Sequence, residues 1–589
     1  MAWPATALLI WLGLSCGYGF ACWLLPPQDR NPLILLCTSL GLSLGLLTTT
    51  LFWIAWLVPG RLNLPTSVAA AAVLAVAGLW LGRGRLSPGR FPLPDSFFNI
   101  RRDPLQAGLV LAVGLTAGAV LFNATYWPYV DWDTLAIYGP LAKSIYQTGA
   151  LPDEHFYAAY PMLIPLAYAY THWASAGLDE YAAKLVPALM ALGGVGASGA
   201  LARAAGNRRS AWLAAGLVAL TPIYVRWASS GYTDVPAGLY FVLSALFAYR
   251  WLRVSRWQDA ALTGLFAGLA MWTKNTGLAL LPSLVLLLLL PHSTSVPNHH
   301  GRQVNAASQK ALMIAVVLAV AGPWYLRNLA VHQALVPPTI WLDQARPTVS
   351  SLMVWVDPTR QFGLPGWLFA TGLAFGLVQL VLRRRADNIA WTVLAAYIVP
   401  FFVAWWLAAS YDPRFLVSLV PLLAAGASLM VRELAARRSF RLGEVQRLVG
   451  TAIGVLVILV MLVTALDRAV DGKRLILQDP TMDDATKHHL RLGGVYDLAL
   501  TINQLPVGSR LLGVPPLAVY HLELQRLGAV SLAQAGQPPS AEADSFDYVV
   551  YNLGVGQLGP WSLTASPIQV TDDGYALYPT SPDGPPAGQ

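Results

Sequence analysis

Twelve apolar runs of membrane-crossing length dominate this chain, near residues 3–25, 33–58, 66–82, 105–122, 182–202, 211–226, 235–252, 311–325, 364–382, 388–409, 413–431 and 448–466. Runs of about 17–25 apolar residues cross a bilayer as helices, because hydrocarbon offers no partner to an open backbone. A further stretch, 260–291, is too long for one crossing and is expected to fold as two short helices meeting near Lys274 and Asn275, giving about fourteen spans. The apolar stretch 161–176 carries Pro161 and Pro165 and reads as re-entrant or interfacial. Only 12% of residues are charged and 56% are hydrophobic, with a mean hydropathy of +0.52, which excludes a soluble domain, a disordered chain and a disulfide scaffold. The three cysteines, Cys16, Cys22 and Cys37, all fall in the first two apolar runs, leaving none for a cysteine metal site outside the membrane.

The basic residues set the orientation. Arg83, Arg85, Arg90, Arg101 and Arg102 share one set of loops with Arg203, Arg208, Arg209, Arg250, Arg253, Arg256 and Arg383 to Arg385. Arg432, Arg437, Arg438, Arg441 and Arg447 complete it, and with Arg30, Arg302 and Lys310 this side holds 22 of the 38 basic residues. By the positive-inside rule it is cytoplasmic, so the basic pI of about 9.3 orients a membrane protein and points to no nucleic acid. The N-terminus is then outside. Its first segment lacks a basic start and a small-residue cleavage site, and is expected to stay as a helix.

Three domains are expected: N-terminal helices and a cytoplasmic loop over 1–104, the main membrane domain over 105–466 with an outer loop 123–181, and a tail over 467–589. The tail carries 13 acidic and 7 basic residues, unlike the rest of the chain. Stretches 509–513 and 547–551 have strand character and 494–505 helical character, so a small extracytoplasmic α/β domain is expected there. Beyond Thr580 the Pro/Gly-rich composition suits a disordered end.

Ionisable residues beside hydrocarbon are costly and point to function. The outer loop opens with Tyr126-Trp127-Pro128-Tyr129-Val130-Asp131-Trp132-Asp133. Asp133 has a plain alternative role as the N-cap of a helix carrying Leu135, Tyr138, Leu141 and Ile145 on one face, although Pro140 interrupts it. Asp234, in Tyr232-Thr233-Asp234-Val235-Pro236, has the same alternative. Lys274, in Trp272-Thr273-Lys274-Asn275, has the alternative of snorkelling to the interface. Arg327, His332 and Arg414 lie at the same face, each explicable singly as a membrane anchor. Together, acids and bases from separate helices suit a substrate with a phosphate and a hydroxyl nucleophile: cations hold the phosphate and a carboxylate takes the proton.

The order of these features resembles a known family. An outer loop with an Asp precedes Tyr160-Pro161-Met162-Leu163-Ile164-Pro165 and then Tyr232-Thr233-Asp234-Val235-Pro236. Gly264-Leu265-Phe266-Ala267-Gly268-Leu269-Ala270 leads into Thr273-Lys274, followed by Pro323-Trp324-Tyr325 and Arg414-Phe415-Leu416. Over roughly 105–430 the chain is similar to the C-type (GT-C) glycosyltransferases, the family of protein mannosyltransferases and lipid A aminoarabinose transferases. The resemblance implies a multi-pass enzyme of the plasma membrane that moves a sugar from a polyprenyl-phosphate carrier to a lipid, glycan or protein hydroxyl outside the cytoplasm, with inversion. It implies Asp133 or Asp131 as the base, with Asp234, Lys274, His332 and Arg414 around the donor phosphate. The family's common Asp-Glu pair is Asp133-Thr134 here, which leaves the choice between the two acids open. A divalent metal helps some members and is dispensable in others. A lipid transporter or flippase, the other reading, would show paired interrupted helices or internal repeats, and none is evident in the sequence.

Overall fold

The computed structural model describes residues 3–580 apart from 86–102, 154–155, 291–305, 337–343, 358, 360, 383–387, 438–443, 534–545 and 554–565. The Pro/Gly-rich end beyond Thr580 and the basic residues Arg90, Arg101, Arg102, Arg302, Arg383, Arg384, Arg385, Arg438 and Arg441 lie outside the described residues. The chain divides into two compact units, one of residues 1–125 and 145–471, the other of 126–144 and 472–589.

The first unit is helical. Among the described residues eleven helices have the length and apolarity to cross a membrane, or twelve when the bent pair Arg208–Ala219 and Pro222–Ala228 counts as one. That pair turns by 68°. Pro222 has no N–H for Val218 O, four residues back; the Thr221 N–H turns to that carbonyl at 3.2 Å, and the Thr221 hydroxyl donates to Leu217 O at 2.6 Å. The two crossings expected from 260–291 are Trp257–Thr273 and the shorter Asn275–Leu289, with Lys274 extended between them (φ −156°, ψ 144°). These two shorter helices are the difference from the fourteen spans read in the sequence. Leu163–Ser175, from the proline-bearing stretch, has 13 residues, too few to cross, and is buried on all sides through Ala174.

Small residues bring these helices together. A Cβ on Gly264 would sit 2.4 Å from Met313 O, and one on Gly268 would sit 2.9 Å from Val320 Cβ. The Gly-x-x-x-Gly spacing therefore lets Trp257–Thr273 and Ala306–His332 approach backbone to backbone, as helices do where lipid removes the hydrophobic drive to associate. An ion network ties the N-terminal helices to this bundle: Arg250 reaches both Asp259 and Asp29 at 2.9 Å, and Arg256 also pairs with Asp29.

The second unit contains a five-stranded sheet: β1 Arg510–Val514, β2 Ala529–Leu532, β3 Tyr548–Asn552, β4 Gln569–Val570 and β5 Tyr575–Pro579, in the order β2-β1-β3-β5-β4. β1 runs parallel to β2 and β3, and β5 pairs antiparallel with β3 and β4. Helix Gly494–Ile502 puts Val495, Leu498, Ala499 and Ile502 into a core with Leu511, Val514, Tyr548, Val550 and Leu577. The α/β tail expected from the sequence is present.

Near this core His521 packs edge-on to His488 and Tyr496 with ring centroids 5.2 and 5.0 Å away, and its Nε2 is buried with no hydrogen bond. Burial, with the His488 and Lys143 charges adding, pushes its pKa down to about 3. An unfolded histidine protonates near about 6.5, so below that pH the unfolded chain binds a proton that the folded unit refuses. Stability therefore falls as pH drops from about 6.5 toward 3. Hydrogen exchange over residues 494–522 should be faster at about pH 5 than at about pH 7.5 after correction for the intrinsic rate. His521→Phe should flatten that dependence; an unchanged slope in the variant would assign the effect to other groups.

Candidate functional site

The first unit gathers three of the sequence candidates around one carboxylate. Asp234 begins the helix Asp234–Val254, but Thr233 occupies the cap position and no side-chain cap is formed there. The Asp234 side chain turns inward instead and is fully buried. Its Oδ1 accepts a hydrogen bond from Lys274 Nζ at 2.6 Å, and Arg414 Nε lies 3.8 Å from its Oδ2. Ser418 Oγ donates to the Asp234 carbonyl at 2.8 Å, holding the start of this helix against the Arg414 segment. The break after Thr273 is what aims Lys274 here: an extended residue between two helices projects its ammonium inward. At 7% side-chain exposure the lysine does not snorkel.

Aromatic rings complete the cluster. Arg414 lies over Tyr232, Phe415 and Trp227 at 4.6, 5.2 and 5.4 Å from their centroids, and Tyr232 stacks on Trp227 at 4.8 Å. Lys274 Nζ is 4.7 Å from the Phe415 centroid. Ring faces attract cations and exclude water, so both charges are held where electrostatic interactions are strong. Asp412 adds a second acid 3.4 Å from Arg414 Nε, and its Oδ1 accepts from the Arg414 N–H at 2.8 Å, capping the turn Pro413–Leu419. Nearby in sequence, Arg226 pairs with Asp471 at 2.7 Å.

His332 and Arg327 occupy the end of the helix Ala306–His332. Arg327 is buried, pairs with Asp153 and packs over Trp324. His332 is half-buried with Nε2 lacking a hydrogen bond, and no described contact joins it to Asp234, Lys274 or Arg414.

Asp131 and Asp133 belong to the second unit, both buried. The chain is helical from Trp132, with the Thr134 and Leu135 N–H groups both donating to Asp131 O at 3.1 Å. A π-turn, Thr134–Tyr138, then leads into the helix Gly139–Thr148. Pro140 explains the wide turn: it cannot donate to the carbonyl four residues back, and Gly139 N–H bonds to Thr134 O, five back. Asp133 stands at the cap position of that turn but makes no side-chain capping bond.

For a cation, His488 and His521 of the second unit offer ring nitrogens within 4.8 Å of each other. His488 Nδ1 faces Asp484 O at 2.8 Å, which leaves its Nε2 as an acceptor.

Sequence reasoning did not assign Tyr232, Trp227, Phe415 or Asp412. Each lies within seven residues of a charge it did single out, and aromatics crowding an interfacial charge were the available signal.

Residues 164–326 match the family model described as dolichyl-phosphate-mannose-protein mannosyltransferase, a stretch that contains Asp234 and Lys274. No curated protein matches the chain. Among solved structures, ArnT from Cupriavidus metallidurans bound to undecaprenyl phosphate is similar at 16% identity with a TM-score of 0.52, over 80% of this chain and 98% of that one. Its apo state matches at the same identity and score, over 81% and 98%. The oligosaccharyltransferase AglB from Archaeoglobus fulgidus, in complex with an inhibitory peptide and a dolichol-phosphate, is 13% identical with a TM-score of 0.48, over 77% and 70%. The fold is that of the C-type glycosyltransferases, as the order of motifs suggested.

Proposed function

We propose that this chain is a membrane glycosyltransferase that takes a sugar from a polyprenyl-phosphate donor and joins it to an acceptor hydroxyl. The observation that carries the reading is the buried cluster of Lys274 and Arg414 on Asp234, inside or beside the stretch that matches the mannosyltransferase family model. The similar ArnT was solved with undecaprenyl phosphate, a ligand of the proposed donor's chemistry.

The chemistry follows from what such a transfer requires. The acceptor oxygen forms a bond to the anomeric carbon while the bond from that carbon to the phosphate oxygen breaks, and the polyprenyl phosphate leaves with the electron pair. Lys274 and Arg414 neutralise the charge that grows on the leaving oxygen. Lys274 uses one of its three N–H donors on Asp234, so Asp234 positions the ammonium and does not consume it. The acceptor proton passes to a carboxylate, which we assign to Asp133, with Asp131 orienting the acceptor. Direct attack by the acceptor on the carbon bearing the phosphate inverts its configuration. His332 joins the donor site on the family likeness alone. A divalent ion is an optional contributor; His488 and His521 would supply two imidazole ligands suited to a transition ion.

Orientation is part of the proposal. The basic loops place the reaction face and the tail outside the cytoplasm, in the plasma membrane of the cell envelope, with 1–104 as accessory helices, 105–466 as the transfer domain and 467–589 as the outer domain. A reporter fused after residue 475 should behave as extracytoplasmic; cytoplasmic behaviour would reverse the assignment. For the donor, purified protein should bind undecaprenyl phosphate saturably, and an alkyl alcohol of equal length much more weakly. Equal binding of the two would remove the phosphate from the reading.

A further inference from the structure

The span Leu448–Ala469 ends four residues before Lys473. Four residues reach at most about 14 Å, so the chain that follows starts beside the membrane. A second span, Pro104–Tyr126, ends next to it: the Asp471 N–H donates to Asn123 Oδ1 at 2.9 Å. Tyr126 Oη in turn lies 3.3 Å from the carbonyl oxygens of Asp479 and Pro480. The segment 473–480 therefore leaves one span and returns to the end of another, which keeps it at the membrane surface.

Its side chains suit that position. Lys473 and Arg474 are exposed, and Leu477 is 84% exposed, a costly state for a leucine in water and a favourable one among headgroups and acyl chains. The next helix, Asp484–Leu492, adds Lys487 and Arg491 one turn apart. Lys487 Nζ is 4.2 Å from the Tyr126 ring centroid, and the Arg491 guanidinium is 4.9 Å from that of Trp127. Tyrosine and tryptophan are the residues of the headgroup level, so the two cations resting on these rings hold charge there. Charge is also sorted along the tail: residues 472–492 carry four basic and three acidic side chains, and residues 493–589 carry two basic and eight acidic. Two of those first three acids hold local turns, Asp479 at Thr481 and Asp483 at Thr486. The cations of an acidic tail are gathered where the chain meets the membrane.

We propose that Lys473, Arg474, Lys487 and Arg491 form a docking surface for anionic phospholipid headgroups in the leaflet on the tail's side. Phosphodiester charge complements the cluster, and Leu477 enters between the headgroups as its apolar anchor. Continuity with two span ends selects lipid over a protein partner, because lipid is the solvent at that depth. The contact ties the tail's first two helices to the bilayer and makes their order depend on lipid charge. It is independent of the donor reading above.

The test is hydrogen exchange over residues 473–492 of the full-length protein, in nanodiscs of phosphatidylcholine alone and with about 30 mol % phosphatidylglycerol. The anionic lipid should slow exchange there about fivefold or more, the effect of about one cation held at an anionic surface, and leave residues 510–514 and 548–552 of the sheet unchanged. Salt at about 0.5 M should remove the difference. So should Lys473→Gln combined with Arg474→Gln, both at exposed positions. Equal exchange in the two lipids, or a difference that survives salt or the double variant, would overturn the proposal. Undecaprenyl phosphate, added in small amount to phosphatidylcholine discs, probes the other phosphate-bearing lipid. Slowing by it, with none from phosphatidylglycerol, would give the surface to the polyprenyl carrier and overturn the phospholipid assignment.

Discussion

Asp133→Asn should slow sugar transfer by about 10²- to 10⁴-fold, the usual cost of losing a positioned general base, while the protein accumulates and binds donor normally. The local structure leaves this substitution no cap to break. The carboxylate makes no capping bond to the backbone, and the first amides of the turn are held by Asp131 O, which an Asn at 133 leaves untouched. Loss of a true cap would cost about 1 kcal/mol of stability and little chemistry. Asp131→Asn should be milder, because Asp131 stands ahead of the helix that begins at Trp132 and in this reading orients the acceptor without taking its proton. Retained transfer in Asp133→Asn with loss in Asp131→Asn would exchange their roles. Retention in both would move the base elsewhere, with Asp234 the next candidate.

The second large effect is expected at Lys274. Lys274→Ala should abolish donor turnover and also destabilise the protein, since it strips the fully buried Asp234 of its 2.6 Å partner. Breaking a buried pair on one side costs about 3–5 kcal/mol, so the single variant mixes two effects. Asp234→Asn with Lys274→Gln separates them: it removes both charges, should recover most of the melting temperature, and should leave turnover lost. Lys274→Arg keeps the charge in a larger, planar group and should restore activity only in part. Native-like turnover by the uncharged double variant would make the pair purely structural.

Apolar length alone located the spans, because that signal is local and periodic. The strand at 548 and the helix at 494 were legible for the same reason. What escaped was long-range. Asp234 and Lys274 each stood out, yet nothing across 40 residues announces a 2.6 Å bond between them; each looked singly like a cap or a snorkelling chain. Asp412 was invisible because an Asp before a Pro is ordinary turn chemistry. The grouping of 126–144 with the tail depends on contacts made more than 300 residues apart, so the outer loop read as one piece of the membrane domain. The π-turn was hinted at by Pro140, which weakens a helix without saying what replaces it.

The central claim, transfer from a lipid-linked phosphate, is tested most directly by turnover. Purified protein, supplied with a membrane lipid extract as acceptor, is incubated with a panel of undecaprenyl-phosphate hexoses and pentoses and, in parallel, with nucleotide sugars, and released carrier is followed. The account predicts undecaprenyl phosphate appearing in step with sugar loss for at least one lipid-linked donor, and none with Asp133→Asn. Turnover of a nucleotide sugar, with none from any lipid-linked sugar, would contradict it.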